Sequence, residues 1–162
     1  SRFLGTIEVA ARFQQDAITG LIDQERASDE ALADHARAVV ARSRTAGLRI
    51  PGVGHPIHVH GDPRTERTFR VAREEGYFGV HCRFAIQLAH AAGVALGRPM
   101  PLNATGSKAA ILLDLGLSPE FGKGLTLIGR VAGLVAHAIE ERERPIGQHL
   151  WDLAVKASEE GD

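Results

Sequence analysis

The sequence predicts an all-α fold, and three observations support that prediction. Apolar residues recur at helical spacing along most of the chain. No segment alternates apolar and polar residues, as a strand would, over more than a few positions. Capping residues and prolines mark several of the expected helix ends. The 162 residues fit one domain with a sizeable core, so we expect a single compact unit.

Each expected helix is bounded by recognisable start and stop signals. The predicted helices cover residues 4–22, 29–45, 63–75, 79–96, 106–116, 119–143 and 149–159. Ser28 suits the N-cap of the second helix. The pairs Asp62-Pro63 and Ser118-Pro119 each combine a capping residue with a proline at the first helical position. The remaining boundaries follow glycines and prolines that interrupt the apolar pattern.

Two of these helices lead to predictions about the core. The first helix has an apolar stripe that includes Ile7, Ala10 and Ile18, and Gln14 is expected to lie off that stripe. The helix at 106–116 is almost entirely apolar, so we expect it to be buried.

Composition and charge argue against several classes of function. Apolar residues make up 44% of the chain and charged residues 24%, an ordinary balance for a globular domain. The formal net charge of −1 argues against nucleic acid or an anionic membrane as the main partner. No stretch reaches the length of a membrane span. Cys82 is the one cysteine, so a reducing, cytoplasmic location is the simplest expectation.

The segment 50–64, Ile-Pro-Gly-Val-Gly-His-Pro-Ile-His-Val-His-Gly-Asp-Pro-Arg, interrupts the helices for longer than a turn requires. Its composition excludes a regular helix, because proline lacks a backbone N–H and glycine is costly there. One interpretation is an extended surface loop. The other is a backbone that approaches a ligand closely at Gly52 and Gly54 and presents His55 for chemistry.

The side chains of this segment suit two kinds of site. Arg64 opens a helix, so its guanidinium and the helix N-terminus favour a carboxylate ligand, with His55 donating to a carbonyl or hydroxyl oxygen. The alternative is a metal site on His55, His58 and His60, since histidine is the commonest metal ligand. We favour the anion site because the only carboxylate of the segment, Asp62, is expected to serve as an N-cap.

Two later arginines suit the same anion. Arg130 is the one charge in the apolar stretch 125–136, so a buried Arg130 requires an ion pair or an anionic ligand. A structural ion pair is the simpler of these interpretations. Arg144 comes just before Pro145, at the expected end of a helix. The alternative to anion binding by Arg144 is a simple favourable interaction of its charge with the negative end of that helix.

Five short motifs, taken together, resemble those of one known family. They are Gly-x-Gly-His-Pro, Asp-Pro-Arg, Leu-Asn-x-x-Gly, Arg-x-Ala-Gly-Leu-x-Ala-His and Glu-Arg-Pro-Ile-Gly. Their order and spacing resemble the C-terminal half of the citrate synthase and citryl-CoA lyase family, from Leu4 to Leu153. The opening Phe-Leu-Gly-Thr-Ile-Glu is similar to the lyase branch, including the citrate-cleaving module of ATP-citrate lyase.

The resemblance implies the nearly all-α citrate synthase fold, with a smaller lobe at about residues 62–118, and a homodimer. It implies an enzyme that makes or cleaves a carbon–carbon bond between an acyl-CoA and a 2-oxo acid, as in the chemistry of oxaloacetate and citrate. The substrate would be a coenzyme A thioester, and no metal is expected. His55 would polarise the oxo or hydroxyl oxygen, and Arg144 would reach into the partner subunit's site. The residues expected to hold substrate carboxylates are Arg64, Arg130, Arg144 and Asn103. The backbone expected to line the coenzyme A pocket is that of Pro51, Gly52, Val53 and Gly54.

Two positions depart from the family pattern. The family's Asn-x-Asp reads Asn103-Ala104-Thr105 here, so Thr105 occupies the position of the catalytic base. A threonine hydroxyl is too weak a base near neutral pH, and losing a general base typically costs about 10²–10⁴ in rate. Phe3 stands where the synthases carry a catalytic histidine. Family members also have further N-terminal helices, so we expect a preceding segment or another subunit to complete the shared core.

Three functions remain to be weighed. The first is a citrate synthase or citryl-CoA lyase-type enzyme. The second is a catalytically impaired family member that binds a CoA ester or a di- or tricarboxylate, which Thr105 favours. The third is a metal-dependent hydrolase that uses His55, His58 and His60.

Overall fold

The structure is a computed structural model, and it describes residues 5–21 and 27–159. Within those ranges the chain forms helices and no strand, apart from one isolated antiparallel bridge between Val53 and Leu102. The prediction of an all-α fold is therefore confirmed. The helices are α1 Thr6–Ile18, α2 Asp29–Thr45, α3 Pro63–Glu74, α4 Val80–Leu96, α5 Ala104–Asp114, α6 Pro119–Glu143 and α7 Gly147–Glu159. None of these helices is long and apolar enough to cross a membrane.

The helices form two compact units, Ser1–Thr126 and Leu127–Asp162, whereas the sequence analysis expects one. The boundary falls inside α6. The smaller lobe expected at about residues 62–118 remains a prediction.

The helix ends follow local capping chemistry. Ser28 accepts a hydrogen bond from a backbone N–H of the first turn of α2 (3.2 Å), and Asp62 accepts one from the Arg64 N–H at the start of α3 (3.0 Å). Helix α5 begins earlier than the predicted start at residue 106. Asn103 is the N-cap of that helix, so the first helical residue is Ala104.

The core of the first unit lies where α4 and α5 pack against their neighbours. α4 packs against α2 and α5, and α5 also packs against α1 and α3. Phe84 and Leu88 of α4 are fully buried there. α5 is buried along most of its length, as its apolar composition predicts, although Leu115 just beyond its end is exposed.

Gln14 is the main exception to the expected burial along α1. Ile7, Ala10 and Ile18 are buried as predicted, but Gln14 is also 0% exposed, so its expected place off the buried face is wrong. Its spacing from Ala10 and Ile18 in fact matches one helical face. Its Nε2 donates to the Gly106 carbonyl (3.1 Å), while its Oε1 has no hydrogen-bond partner among the described residues. The two ends of this predicted helix lie outside the described residues.

The N-terminus of α4 is capped by a residue from another helix. Asp114, at the end of α5, accepts hydrogen bonds from the backbone N–H groups of Gly79 (2.8 Å), His81 (2.9 Å) and Cys82 (3.0 Å). Its carboxylate also contacts Nδ1 of His81 (2.9 Å). Burial opposes the charge of Asp114, but the hydrogen bonds from His81 and Cys82 outweigh it and hold the pKa of Asp114 below its usual value. This one side chain therefore joins α4 to α5.

The second unit contains the C-terminal part of α6 and the whole of α7. Glu141 accepts hydrogen bonds from the backbone N–H groups of Ile146 (3.1 Å) and Gly147 (2.8 Å), which lower its pKa and cap the start of α7. No residue of α7 is buried in the single chain. The large apolar side chains of this unit are exposed: Leu127, Ile128, Val131, Leu134, Val135, Ile139, Ile146, Leu150, Trp151, Leu153 and Val155. We call this set the apolar surface of the second unit.

Candidate active site

The segment 50–64 begins as a backbone pair with the residues that precede α5. The Gly54 N–H donates to the Pro101 carbonyl (2.7 Å), and the Asn103 N–H donates to the Gly52 carbonyl (2.9 Å). The first half of the segment is therefore held against the rest of the first unit by backbone hydrogen bonds.

Gly52 is required by a contact within the protein. Its φ is +85°, and a Cβ at this position would lie 2.5 Å from the Cα of Gly106. Gly106 has the same restriction, because a Cβ there would lie 2.5 Å from the Gly52 carbonyl oxygen. At Gly54, also with φ +85°, a Cβ would lie 3.0 Å from Cε of Met100. These contacts account for both glycines without the close ligand approach that the sequence analysis considers.

Asn103 connects the two residues expected to take part in catalysis. Its Oδ1 accepts hydrogen bonds from the N–H groups of Thr105 (2.9 Å) and Gly106 (3.2 Å), and its Nδ2 donates to the Gly54 carbonyl (2.7 Å). His55 follows Gly54 directly, so one side chain holds the backbone next to both His55 and Thr105. One Nδ2 hydrogen of Asn103 is left for a ligand, and its predicted role in substrate binding remains a prediction.

Asp62 is the most heavily bonded side chain of the site, and it is only 4% exposed. It pairs with Arg64 through two bonds, from Nε to Oδ1 and from Nη2 to Oδ2, both 2.9 Å. Its Oδ2 also accepts from the Ala104 N–H (2.9 Å), which joins the start of α3 to the start of α5. The bonds from Arg64, against the opposing effect of burial, hold the pKa of Asp62 well below its usual value. Part of the guanidinium that was expected to bind a ligand carboxylate therefore holds Asp62.

His55 lies beside Arg64, and the backbone fixes the orientation of its ring. Its Nδ1 accepts hydrogen bonds from the N–H groups of Ile57 (3.1 Å) and His58 (2.9 Å), so the ring proton belongs on Nε2. Nε2 lies 3.1 Å from Nη2 of Arg64, a group that can only donate. Two donors therefore face each other, and an oxygen that accepts from both would satisfy the pair.

The other two histidines of the segment do not join His55 in a metal site. The rings of His55 and His58 stack with centroids 4.6 Å apart, while His60 is exposed on the wall of a neighbouring cavity. Among residues 5–21 and 27–159, no group of three or more His, Cys, Asp or Glu side chains is placed to hold a metal ion. The hydrolase alternative receives no support from this geometry.

The two later arginines belong to the second unit. Arg130 and Arg144 are both exposed in the single chain, so the need to neutralise a buried Arg130 does not arise there. Their predicted roles in carboxylate binding remain predictions.

Comparison with known proteins establishes the family. The family model for the citrate synthase C-terminal domain matches residues 14–149 of this chain. The chain belongs to the citrate synthase family. The solved structure of citryl-CoA lyase from Hydrogenobacter thermophilus is similar to it, with 36% identity and a TM-score of 0.72. That match covers 85% of this chain and 49% of the lyase, so the chain spans about half the length of that relative. A search of the curated proteins found no match.

Two residues of this citrate synthase family member were not foreseen at the site. Asp62 was predicted as a helix cap, but its pairing with Arg64 and Ala104 was not. Gln14 was expected off the buried stripe of α1, but its bond to Gly106 places it behind the backbone that carries Thr105. The Asp-x-Arg spacing could have indicated the first of these. The spacing of Gln14 from Ala10 and Ile18 could have indicated its burial, but no local signal marks its contact with Gly106. Phe3, the position that distinguishes the lyase branch, lies outside the described residues.

Proposed function

We propose that this chain supplies the oxo-acid and thioester side of a citryl-CoA lyase-type active site. Such a site makes or cleaves the carbon–carbon bond between an acyl-CoA and a 2-oxo acid such as oxaloacetate. The observation that carries the proposal is the convergence of Nε2 of His55 and Nη2 of Arg64, 3.1 Å apart, in a member of this family. A citryl-CoA lyase is also among the proteins of solved structure that the chain resembles.

In this proposal His55 and Arg64 bind the oxo acid. The Nε2–H of His55 and Nη2 of Arg64 donate together to the oxo oxygen, and the remaining donors of Arg64 hold the adjacent carboxylate. Negative charge increases on that oxygen when the carbon–carbon bond forms, and donors fixed beforehand stabilise it. Arg64 is suited to this task because its ion pair with Asp62 already fixes its position (2.9 Å) while its side chain stays 55% exposed.

The thioester would pass the backbone of residues 51–54. Four polar groups of this backbone are already paired, namely the Gly52 carbonyl, the Val53 N–H and both the N–H and the carbonyl of Gly54. We therefore propose that this backbone contacts coenzyme A mainly by van der Waals packing and donates or accepts few hydrogen bonds.

A second candidate function, binding without efficient turnover, is supported by Thr105. The carboxylate that contacts the backbone next to Thr105 is that of Asp62, which accepts from the Ala104 N–H. It cannot replace the family's aspartate as a base, because it is buried, fully hydrogen-bonded and strongly acidic. Proton transfer to or from the acyl-CoA methyl carbon then depends on a group other than Thr105 and Asp62.

The complete site is proposed to need a second copy of the chain. The apolar surface of the second unit is large for a monomer, and covering it would hold Arg130 and Arg144 at an interface. In this proposal Arg144 reaches the oxo acid of the partner subunit. A cytoplasmic location agrees with Cys82, which is unpaired and buried, and remains part of the proposal.

Calorimetric titration with oxaloacetate and citrate, paired with a citryl-CoA cleavage assay, tests the proposed function. We expect the natural protein to bind at least one of these acids. Arg130→Ala should weaken that binding roughly tenfold, since a charge-assisted hydrogen bond contributes about 1.5–3 kcal/mol. Arg42→Ala, at an exposed arginine of α2, is the matched control and should bind as the natural protein does. Absence of both acid binding and thioester cleavage would contradict the proposal.

A further inference from the structure

His58 lies directly beside His55, and the proposed function leaves its side chain without a role. Its backbone N–H donates to Nδ1 of His55 (2.9 Å), and the two rings stack with centroids 4.6 Å apart. The side chain of His58 is half-buried, and no hydrogen bond or ion pair joins it to another described residue. The ring nitrogens of His58 are therefore available to a ligand bound at His55.

The other groups near His55 are poorly suited to accept a proton. Asp62 is buried, strongly acidic and committed to Arg64, and the hydroxyl of Thr105 is too weak a base. His60 is exposed on the wall of a neighbouring cavity, away from the stacked pair of rings. A neutral imidazole is the side chain best matched to proton transfer near neutral pH, and His58 presents one next to the oxo-acid donors.

We propose that His58 is the catalytic residue that removes or returns the proton at the methyl carbon of the acyl-CoA. This inference rests on the proposed function, in which the oxo oxygen accepts hydrogen bonds from His55 and Arg64. The methyl carbon bonds to the oxo carbon in the reaction, so it comes within two bonds of that oxygen. The ring that stacks on His55 is placed to reach a proton on this carbon.

The proton transfer balances without a further reactant. In the condensation direction, a neutral ring nitrogen of His58 takes one methyl proton, and the electron pair of the C–H bond becomes the enolate of the thioester. The enolate carbon then forms the carbon–carbon bond with the oxo carbon, and the π pair of the oxo group moves onto the oxygen held by His55 and Arg64. That oxygen gains one proton from solvent while His58 releases one to solvent. Cleavage follows the same steps in reverse.

Deuterium exchange into the methyl group of acetyl-CoA, with oxaloacetate present, measures this proton transfer directly, and citryl-CoA cleavage measures the complete reaction. His58→Gln keeps a polar side chain but removes the base, so it should lower both rates about 10²-fold or more. Its affinity for oxaloacetate, measured by calorimetry, should stay unchanged because His55 and Arg64 hold the acid. His60→Gln, in the same segment, is the matched control and should keep both rates. Circular dichroism checks that each variant is folded.

Two further measurements separate proton transfer by His58 from mere support of the His55 ring. Added imidazole should restore part of the exchange rate in His58→Ala, because a free base can enter the space that the ring leaves. Thr105→Asp would supply a second base for the same carbon. In that background His58→Gln should therefore lower the rate by less than it does in the natural chain.

Unchanged exchange and cleavage in His58→Gln would overturn the inference, as would an equal loss of both rates in His60→Gln. A loss of oxaloacetate affinity that matches the loss of rate, without rescue by imidazole, would also overturn it, because the ring would then only support His55. A natural chain that binds oxaloacetate but neither exchanges the methyl proton nor cleaves citryl-CoA would overturn this inference and leave the binding function in place. Absence of both binding and cleavage would instead contradict the proposed function itself, and this inference with it.

Discussion

At the residue scale, Asp62 sets the geometry of the candidate site. It fixes the guanidinium of Arg64 and holds the Ala104 N–H, so it connects the arginine proposed to bind the substrate carboxylate to the turn that carries Thr105. Its pKa is lowered in the folded protein, so the folded state binds fewer protons than the unfolded state near that pKa. The stabilisation by Asp62 is therefore complete above its unfolded pKa of about 4 and is lost as the pH falls below that value.

The first prediction concerns this pH dependence. Asp62→Asn should lower the free energy of unfolding at pH 7 by about 2–3 kcal/mol, because charge-assisted bonds in a buried place are lost. The difference between the natural protein and the variant should shrink as the pH falls from about 5 to 3. Urea unfolding at several pH values measures it. A difference that is constant with pH would mean that the charge of Asp62 does not matter.

The second prediction concerns Thr105. Thr105→Asp should raise citryl-CoA cleavage by about tenfold or more, since a missing general base costs about 10²–10⁴. Recovery should be partial, because the new carboxylate would lie in the first turn of α5, where the helix N-terminus favours the charged form and weakens the base. Thr105→Asn, of similar shape and without a base, is the control and should give no gain. If the natural protein already cleaves citryl-CoA at about 10 s⁻¹ and Asp adds nothing, another group performs the proton transfer.

At the element scale, the sequence predicts the helices well and their mutual contacts poorly. The bounds of α2 and α6 agree with the prediction, because Ser28 and Ser118-Pro119 are local signals. The start of α5 was misplaced because Asn103 was not recognised as its cap. Neither the capping of α4 by Asp114 nor the contact of Gly52 with Gly106 could be predicted, since each joins residues far apart in sequence.

The third prediction tests the contact between the segment 50–64 and α5. Gly52→Ala should destabilise the protein by about 3 kcal/mol, since a Cβ both requires a strained φ and meets the Gly106 backbone. Gly47→Ala is a matched control, because its φ is also positive at +66° but a Cβ there meets nothing within 4 Å. The control should cost only about 1 kcal/mol. Equal losses in the two variants, measured by chemical denaturation, would mean that the close contact is unimportant.

At the scale of the whole molecule, the all-α class followed from helical spacing and cap signals, and the family followed from the order of five motifs, none of which is specific alone. The anion site around His55 and Arg64 remains a prediction, but the proximity of these two residues was predicted, because both lie within one short segment. The division into two units was not, since it depends on how helices pack and no composition shift marks it within α6.

The fourth prediction concerns assembly. The natural chain should sediment as a dimer at micromolar concentration, because the apolar surface of the second unit would otherwise face water. Ile128→Glu should shift the protein towards monomer, since Ile128 is 70% exposed in the single chain and a charge there would be buried in the dimer. Val9→Glu, at an exposed position of the first unit, is the control and should leave the dimer intact. A natural chain that sediments as a monomer would contradict the proposed interface.

The central claim is that His55 and Arg64 bind one ligand oxygen together, and a double-mutant cycle on oxaloacetate affinity tests it most directly. The natural protein, His55→Ala, Arg64→Ala and the double variant are titrated by calorimetry, with thermal unfolding as a check that each is folded. Each single change should weaken binding about tenfold, and the two effects should be non-additive by about 1 kcal/mol, within the range for residues in contact. Additive losses, or affinity that is unchanged in both single variants, would mean that the two side chains do not share a ligand oxygen.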